Sequence, residues 1–174
     1  MALPLPNPRT VIGDSSNPLA ITGFTKLARV IPTLSTHAAY AANDYVGTSG
    51  VAMVFTDAAR IINGKGRIMG ATLIDYALQS VACELWLFDT AITPPADSAA
   101  WTLSDAHAAR LVCVIPFSTY YASALNSISH GVPAFPAAFQ TLAASKNLYG
   151  CLVTRGAPAY ADGDLTVIVD ILQD

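Results

Sequence analysis

Apolar positions along this chain recur every second residue in short runs, and nowhere at the three-to-four spacing of a long amphipathic helix. The clearest run is Cys83-Glu84-Leu85-Trp86-Leu87-Phe88-Asp89, with Cys83, Leu85 and Leu87 on one face and Glu84, Trp86 and Phe88 on the other. It ends at Thr93-Pro94-Pro95, because proline has no N–H to give to a ladder. Lys26 to Leu34 alternates in the same way, setting Leu27, Arg29 and Ile31 against Ala28 and Val30. Arg67 to Tyr76 predicts a strand with Ile68, Thr72 and Ile74 on one face and Met69, Ala71 and Leu73 on the other. Further strands are expected at Val51–Phe55, Arg110–Phe117, Tyr149–Arg155 and Leu165–Leu172. The last is rich in β-branched residues, as an interior strand that locks a sheet should be.

Turns punctuate these runs. Tyr40 to Gly47 reads as a turn feeding a short second strand, and Asn63-Gly64-Lys65-Gly66 and Gly163-Asp164 reverse the chain. Ser104 to Arg110 fits one or two helical turns, with Ser104 as N-cap and Asp105 near the positive end of the dipole. Ser123 to Phe139 reads as a small-residue, proline-containing loop with room for one short strand. Residues 1–20 carry Pro4, Pro6, Pro8 and Pro18 and form an extended arm; residues 21–174 form the domain. About eight short strands with Gly/Pro punctuation predict an all-β fold, a jelly-roll-like β-sandwich of antiparallel strands.

Composition narrows the function. Charged residues make up only 12% and hydrophobic ones 53% of the 174 residues, so disorder is excluded for most of the chain, and much of the exterior must be small and neutral or covered by other protein. Net charge is −3, and no two adjacent positions are both basic. Nucleic-acid binding and basic membrane-surface binding both need a clustered positive face, so both are disfavoured. The N-terminus lacks the basic and long apolar regions of a signal peptide, and no apolar stretch reaches bilayer length. Cys83, Cys113 and Cys151 are odd in number, widely spaced and set in apolar runs, as buried free thiols made in a reducing cytoplasm would be.

A chemical constellation is not found. His37, His107 and His130 have no metal-ligand spacing, and Gly47-Thr48-Ser49-Gly50 does not match a nucleophile elbow. Asp162-Gly163-Asp164 lacks the further acids of a calcium loop. Gly64-Lys65-Gly66 leads into a strand, whereas phosphate loops lead into a helix. The sequence thus predicts no catalytic residue, cofactor or metal.

Several segments resemble small structural proteins of tailed-bacteriophage virions, among them capsid decoration (cement) proteins. These are Ala39–Gly47, Glu84–Asp89, Thr93–Asp105, Leu148-Tyr149-Gly150, Gly163–Val167 and Ile171–Asp174. The resemblance implies a jelly-roll-like domain on the capsid exterior that ties neighbouring major capsid proteins together, as a homotrimer or dimer made in the host cytoplasm. It brings no catalytic residues. Candidate interface residues are Leu3, Leu5, Pro6, Val11 and Ile12 of the arm, with Tyr40, Tyr45, Trp101, Tyr120 and Tyr121 of the domain. The alternative is a tail- or fibre-associated jelly roll that binds a host glycan, which would need an exposed aromatic cluster in a cleft. A cupin-like enzyme is a third class, disfavoured by only three histidines on apparent loops.

Overall fold

The computed structural model describes residues 24–35 and 38–174. The arm, residues 1–20, and His37 lie outside the described residues. The strands are β1 (Phe24–Val30), β2 (Ala38–Ala39), β3 (Tyr45–Val46), β4 (Met53–Phe55), β5 (Lys65–Asp75), β6 (Cys83–Phe88) and β7 (Leu111–Phe117), followed by β8 (Tyr120–Ala122), β9 (Ser127–Gly131), β10 (Ala137–Gln140), β11 (Leu148–Thr154), β12 (Ala159–Tyr160) and β13 (Leu165–Gln173). One short helix, α1 (Asp105–Ala108), has Ser104 as its N-cap, whose hydroxyl accepts from the His107 N–H at 3.3 Å.

All pairings are antiparallel and build two main sheets. The first runs β1-β13-β5-β9-β8, and the second runs β3-β11-β6-β7. β10 lies beside β9 along the same side of β5, and β4 lies beside β3 along the same side of β11. Taking each of those end-to-end pairs as one strand, and setting aside the three-residue edge strand β8 and the short β2 and β12, leaves eight principal strands. The first sheet then holds the first, eighth, third and sixth in order, and the second holds the second, seventh, fourth and fifth. That interlocked order, made by two nested Greek keys, is the jelly roll. β2 and β12 form a separate two-stranded piece.

The core lies between the sheets. Ile68, Leu73, Val167, Val169 and Ile171 from the first meet Leu85, Leu87, Ile115, Phe117, Leu148 and Leu152 from the second, all wholly buried. Burying each such side chain contributes about 1.5–3 kcal/mol. The last strand, β13, sits between β1 and β5, as its β-branched composition predicts. Gly131 allows the first sheet to approach β7, since a Cβ there would stand 2.4 Å from the Pro116 carbonyl oxygen. Pro116 itself is tolerated because β7 is an edge strand.

Two sequence expectations are corrected. Alternation along Arg67–Tyr76 put Ile68 on the face of Thr72 and Ile74. Instead the β5–β13 register shifts between Asp170 and Ile171, so that Gly70 faces Asp170, Ile68 faces Ile171 and Met69 is the extra residue of a bulge. Ile68 therefore joins Ala71 and Leu73 inside, while Met69 is exposed. The 123–139 stretch holds two strands, β9 and β10, which Pro133 and Pro136 separate and leave unbroken.

Candidate interaction surface

The two outer faces of the sandwich differ. On the second sheet, the chain from Asp89 to Ser104 folds back over the outward residues of β6 and β11. Tyr45, Phe88, Ile92 and Cys151 form a second buried cluster there, with Trp86, Trp101, Leu103, Leu111 and Tyr149 packed around it. Trp101 stacks on Tyr45 at 6.1 Å between ring centroids and tilts against Trp86 at 5.8 Å. The Trp86 indole N–H donates to Glu84 Oε2, which also holds the Arg155 guanidinium.

A single carboxylate fastens this covering segment. Asp97 accepts from the backbone N–H groups of Ser35, Gly47 and Ser98 at 2.7, 3.2 and 3.1 Å, and from the Ser35 and Tyr40 hydroxyls at 2.5 and 2.8 Å. Five donors converge on one buried side chain, so it ties the stretch from Ser35 to Gly47 to the covering segment. Asp75 does similar work for the turn after β5, accepting from the Ala77 and Ser80 N–H groups at 2.9 and 2.7 Å.

The first sheet has no such cover among the described residues. Its outward positions form rows across the strands: Leu27 beside Asp170 and Gly70, then Arg29, Ile168, Thr72 and His130, then the buried Thr166 with Ile74, Ile128 and Tyr121. Leu27 is 67% exposed, Met69 46%, Tyr121 69% and Val132 66%. A shallow depression of about 220 Å³ lies among Leu27, Met69, Thr72, His130, Val132 and Ile168. The Thr72 hydroxyl and His130 Nδ1 are 2.9 Å apart at its side, and Asp170 Oδ1 is buried in it without a hydrogen-bond partner among the described residues. Large apolar side chains with few charges across one sheet face are what an interface core looks like.

The sequence-predicted interface residues fall in different places. Leu3, Leu5, Pro6, Val11 and Ile12 lie outside the described residues. Tyr40 and Tyr45 are corrected: both are interior, Tyr40 bonded to Asp97 and Tyr45 donating to the Val51 carbonyl at 2.9 Å, so neither ring is open to a neighbour. Trp101 is half-buried in the second cluster. Tyr120 is half-buried, with its hydroxyl donating to the Val81 carbonyl at 2.6 Å. Tyr121 alone of the domain's five stands clear in solvent. Sequence reasoning missed Leu27, Met69, Ile128, Val132 and Ile168 as surface candidates. The signal was there in strands that are apolar on both faces, which a sheet covered on one side does not need.

Chemistry in the interior is quiet. Burial pushes the Cys83, Cys113 and Cys151 thiols up to about 12, so they stay protonated and unreactive at neutral pH. Among the described residues no group of three His, Cys, Asp or Glu side chains is placed to hold a metal, and no helix is long and apolar enough to cross a membrane. No family model, curated protein or solved structure matches the chain.

Proposed function

We propose that this is a structural virion protein that decorates a phage capsid, with the bare outer face of the β1-β13-β5-β9-β8 sheet seated against other protein: the major capsid protein, further copies of itself, or both. The observation that carries the reading is the contrast between the two sheet faces. One is roofed by the chain's own Asp89–Ser104 segment, and the other leaves Leu27, Met69, Tyr121 and Val132 in solvent. Among the described residues nothing covers the other face, and a neighbour seated there would bury its apolar side chains. The low charge supports the same reading, since charged residues are depleted at interface cores. The strand order agrees with it, although a jelly roll serves lectins and enzymes as well.

On this reading the protein is not an enzyme, and its work is to add buried area across capsomer joints. Many copies then act in parallel, each by a modest interface. The glycan-binding alternative draws less support, because Tyr45, Trp86 and Trp101 are packed on one another instead of lining a cleft.

The test is cryo-microscopy of particles assembled with the wild-type chain and with an Ile128→Lys/Tyr121→Lys double variant. Both positions are outward and away from the core, so the variant should fold. Wild-type density on the shell with this face against a neighbour, lost in the variant, is the expected result. A particle without the chain, or with this face turned to solvent, overturns the reading.

A further inference from the structure

A sandwich has four sheet edges, and an edge strand that is long, regular and uncovered is a template for another strand. Three edges here are blunted. β7 carries Pro116 in its ladder, and the edge made by β8 and β10 and the edge made by β3 and β4 are each broken into two short pieces. The fourth, β1, is seven residues long, with no proline and no register shift against β13. Among the described residues, no backbone hydrogen bond joins β1 to anything but β13. From the facing sheet β4 packs against β1, and the loop holding Asp57 and Arg60 reaches its first residues, with Lys26 3.9 Å from Asp57 and the Arg60 guanidinium over the Phe24 ring.

The segment Leu3-Pro4-Leu5-Pro6-Asn7-Pro8-Arg9 has the complementary pattern. In an extended strand, successive residues direct their N–H and C=O groups to opposite sides. Prolines at every second position would therefore all lack their N–H on one side. Leu3, Leu5, Asn7 and Arg9 would keep theirs on the other. Such a strand can pair along one edge only, and once seated it offers no ladder to a further strand.

We propose that Leu3–Arg9 of one copy adds as a terminal strand along the open edge of β1 in a second copy. Exchange between copies is favoured over folding back because fourteen residues, Thr10 to Gly23, separate the segment from β1. Loops joining adjacent antiparallel strands usually have about 2–5 residues, whereas fourteen extended residues span on the order of 46 Å, enough to cross to a neighbour. The proposal concerns copies of this chain alone and does not depend on capsid attachment.

The test uses the purified full-length protein with no capsid present. Mass is measured by light scattering over a range of concentrations, with amide exchange followed on the β1 peptide. Association that protects β1 amides, and loss of both in a chain lacking residues 2–9, is the expected result. Two point variants probe the one-sided pattern: Leu5→Pro removes a pairing donor and should weaken association about tenfold, while Pro6→Ala restores a donor on the far side and should not weaken it. A monomer at every concentration, whether β1 is protected or not, overturns the proposal, as does an oligomer that survives loss of residues 2–9. Equal effects of Leu5→Pro and Pro6→Ala also overturn it.

Discussion

Trp101 lies stacked on Tyr45, 6.1 Å away at an interplanar angle of 29°, and that contact joins the Asp89–Ser104 cover to the sheet beneath it. Tyr45 is wholly buried and Trp101 only half so, which makes the tryptophan the lid of the second cluster. Trp101→Ala is expected to cost about 2–3 kcal/mol, at or below the bottom of the range for fully buried aromatics. A lower midpoint in urea with an unchanged slope would show the loss; an unchanged midpoint would mean that the cover does not depend on this ring.

Asp97 holds the same cover by its polar groups. Asp97→Ala leaves five donors without their acceptor and is expected to destabilise by about 2–4 kcal/mol. Asp97→Asn keeps one carbonyl oxygen and should cost less. If the two variants unfold at the same denaturant concentration, the one carbonyl oxygen that asparagine keeps is not contributing.

Close approach at Gly131 predicts a different response. A methyl group there meets the Pro116 carbonyl oxygen and the Ile115 side chain, so Gly131→Ala should destabilise by about 1–3 kcal/mol through overpacking. Thr72→Ala, on the outward face of the neighbouring strand, should stay within about 0.5 kcal/mol. Thermal unfolding of the two variants side by side decides the point.

Alkaline pH should loosen the fold, and the sign follows from burial. Desolvation raises Cys83, Cys113 and Cys151 to about 12, and raises Tyr40, Tyr45, Tyr120 and Tyr160 beyond the ordinary phenol range. The unfolded chain releases these protons from about pH 8.5 for thiols and about pH 10 for phenols. The folded chain holds them longer, so the neutral groups favour folding at pH 7, and that advantage declines as pH rises through about 9 to 12. Urea midpoints at pH 7, 9 and 10.5 should fall in that order. A midpoint that rises between pH 9 and 10.5 would contradict the burial of these groups.

Much of the architecture was legible in the residues. The two faces of Cys83–Phe88 fall as read, with Cys83, Leu85 and Leu87 in the main core and Trp86 and Phe88 in the second cluster. The Ser104 cap and the interior place of β13 were readable because each rests on a local signal, a capping hydroxyl or a β-branched run. The Met69 bulge was not, because a period-two pattern carries no mark of the residue at which a partner strand slips. Strands β9 and β10 were hidden by Pro133 and Pro136, which fall between the ladders. Tyr40 and Tyr45 were misplaced for another reason. Tyr40 and Tyr121 look equally amphipathic in sequence, and only the folded Asp97 cluster decides that one faces inward and the other out.

The place of β13 also bears on how the subunit is made. Among the described residues, its nine are the only bridge between β1 and β5 in the first sheet. A nascent chain that has emerged as far as Tyr160 holds both neighbours and cannot join them. Closure must therefore wait until residues 165–173 have left the ribosome, after nearly every other strand is already exposed. Until then the partly folded chain shows open sheet edges, the kind of surface through which such chains aggregate.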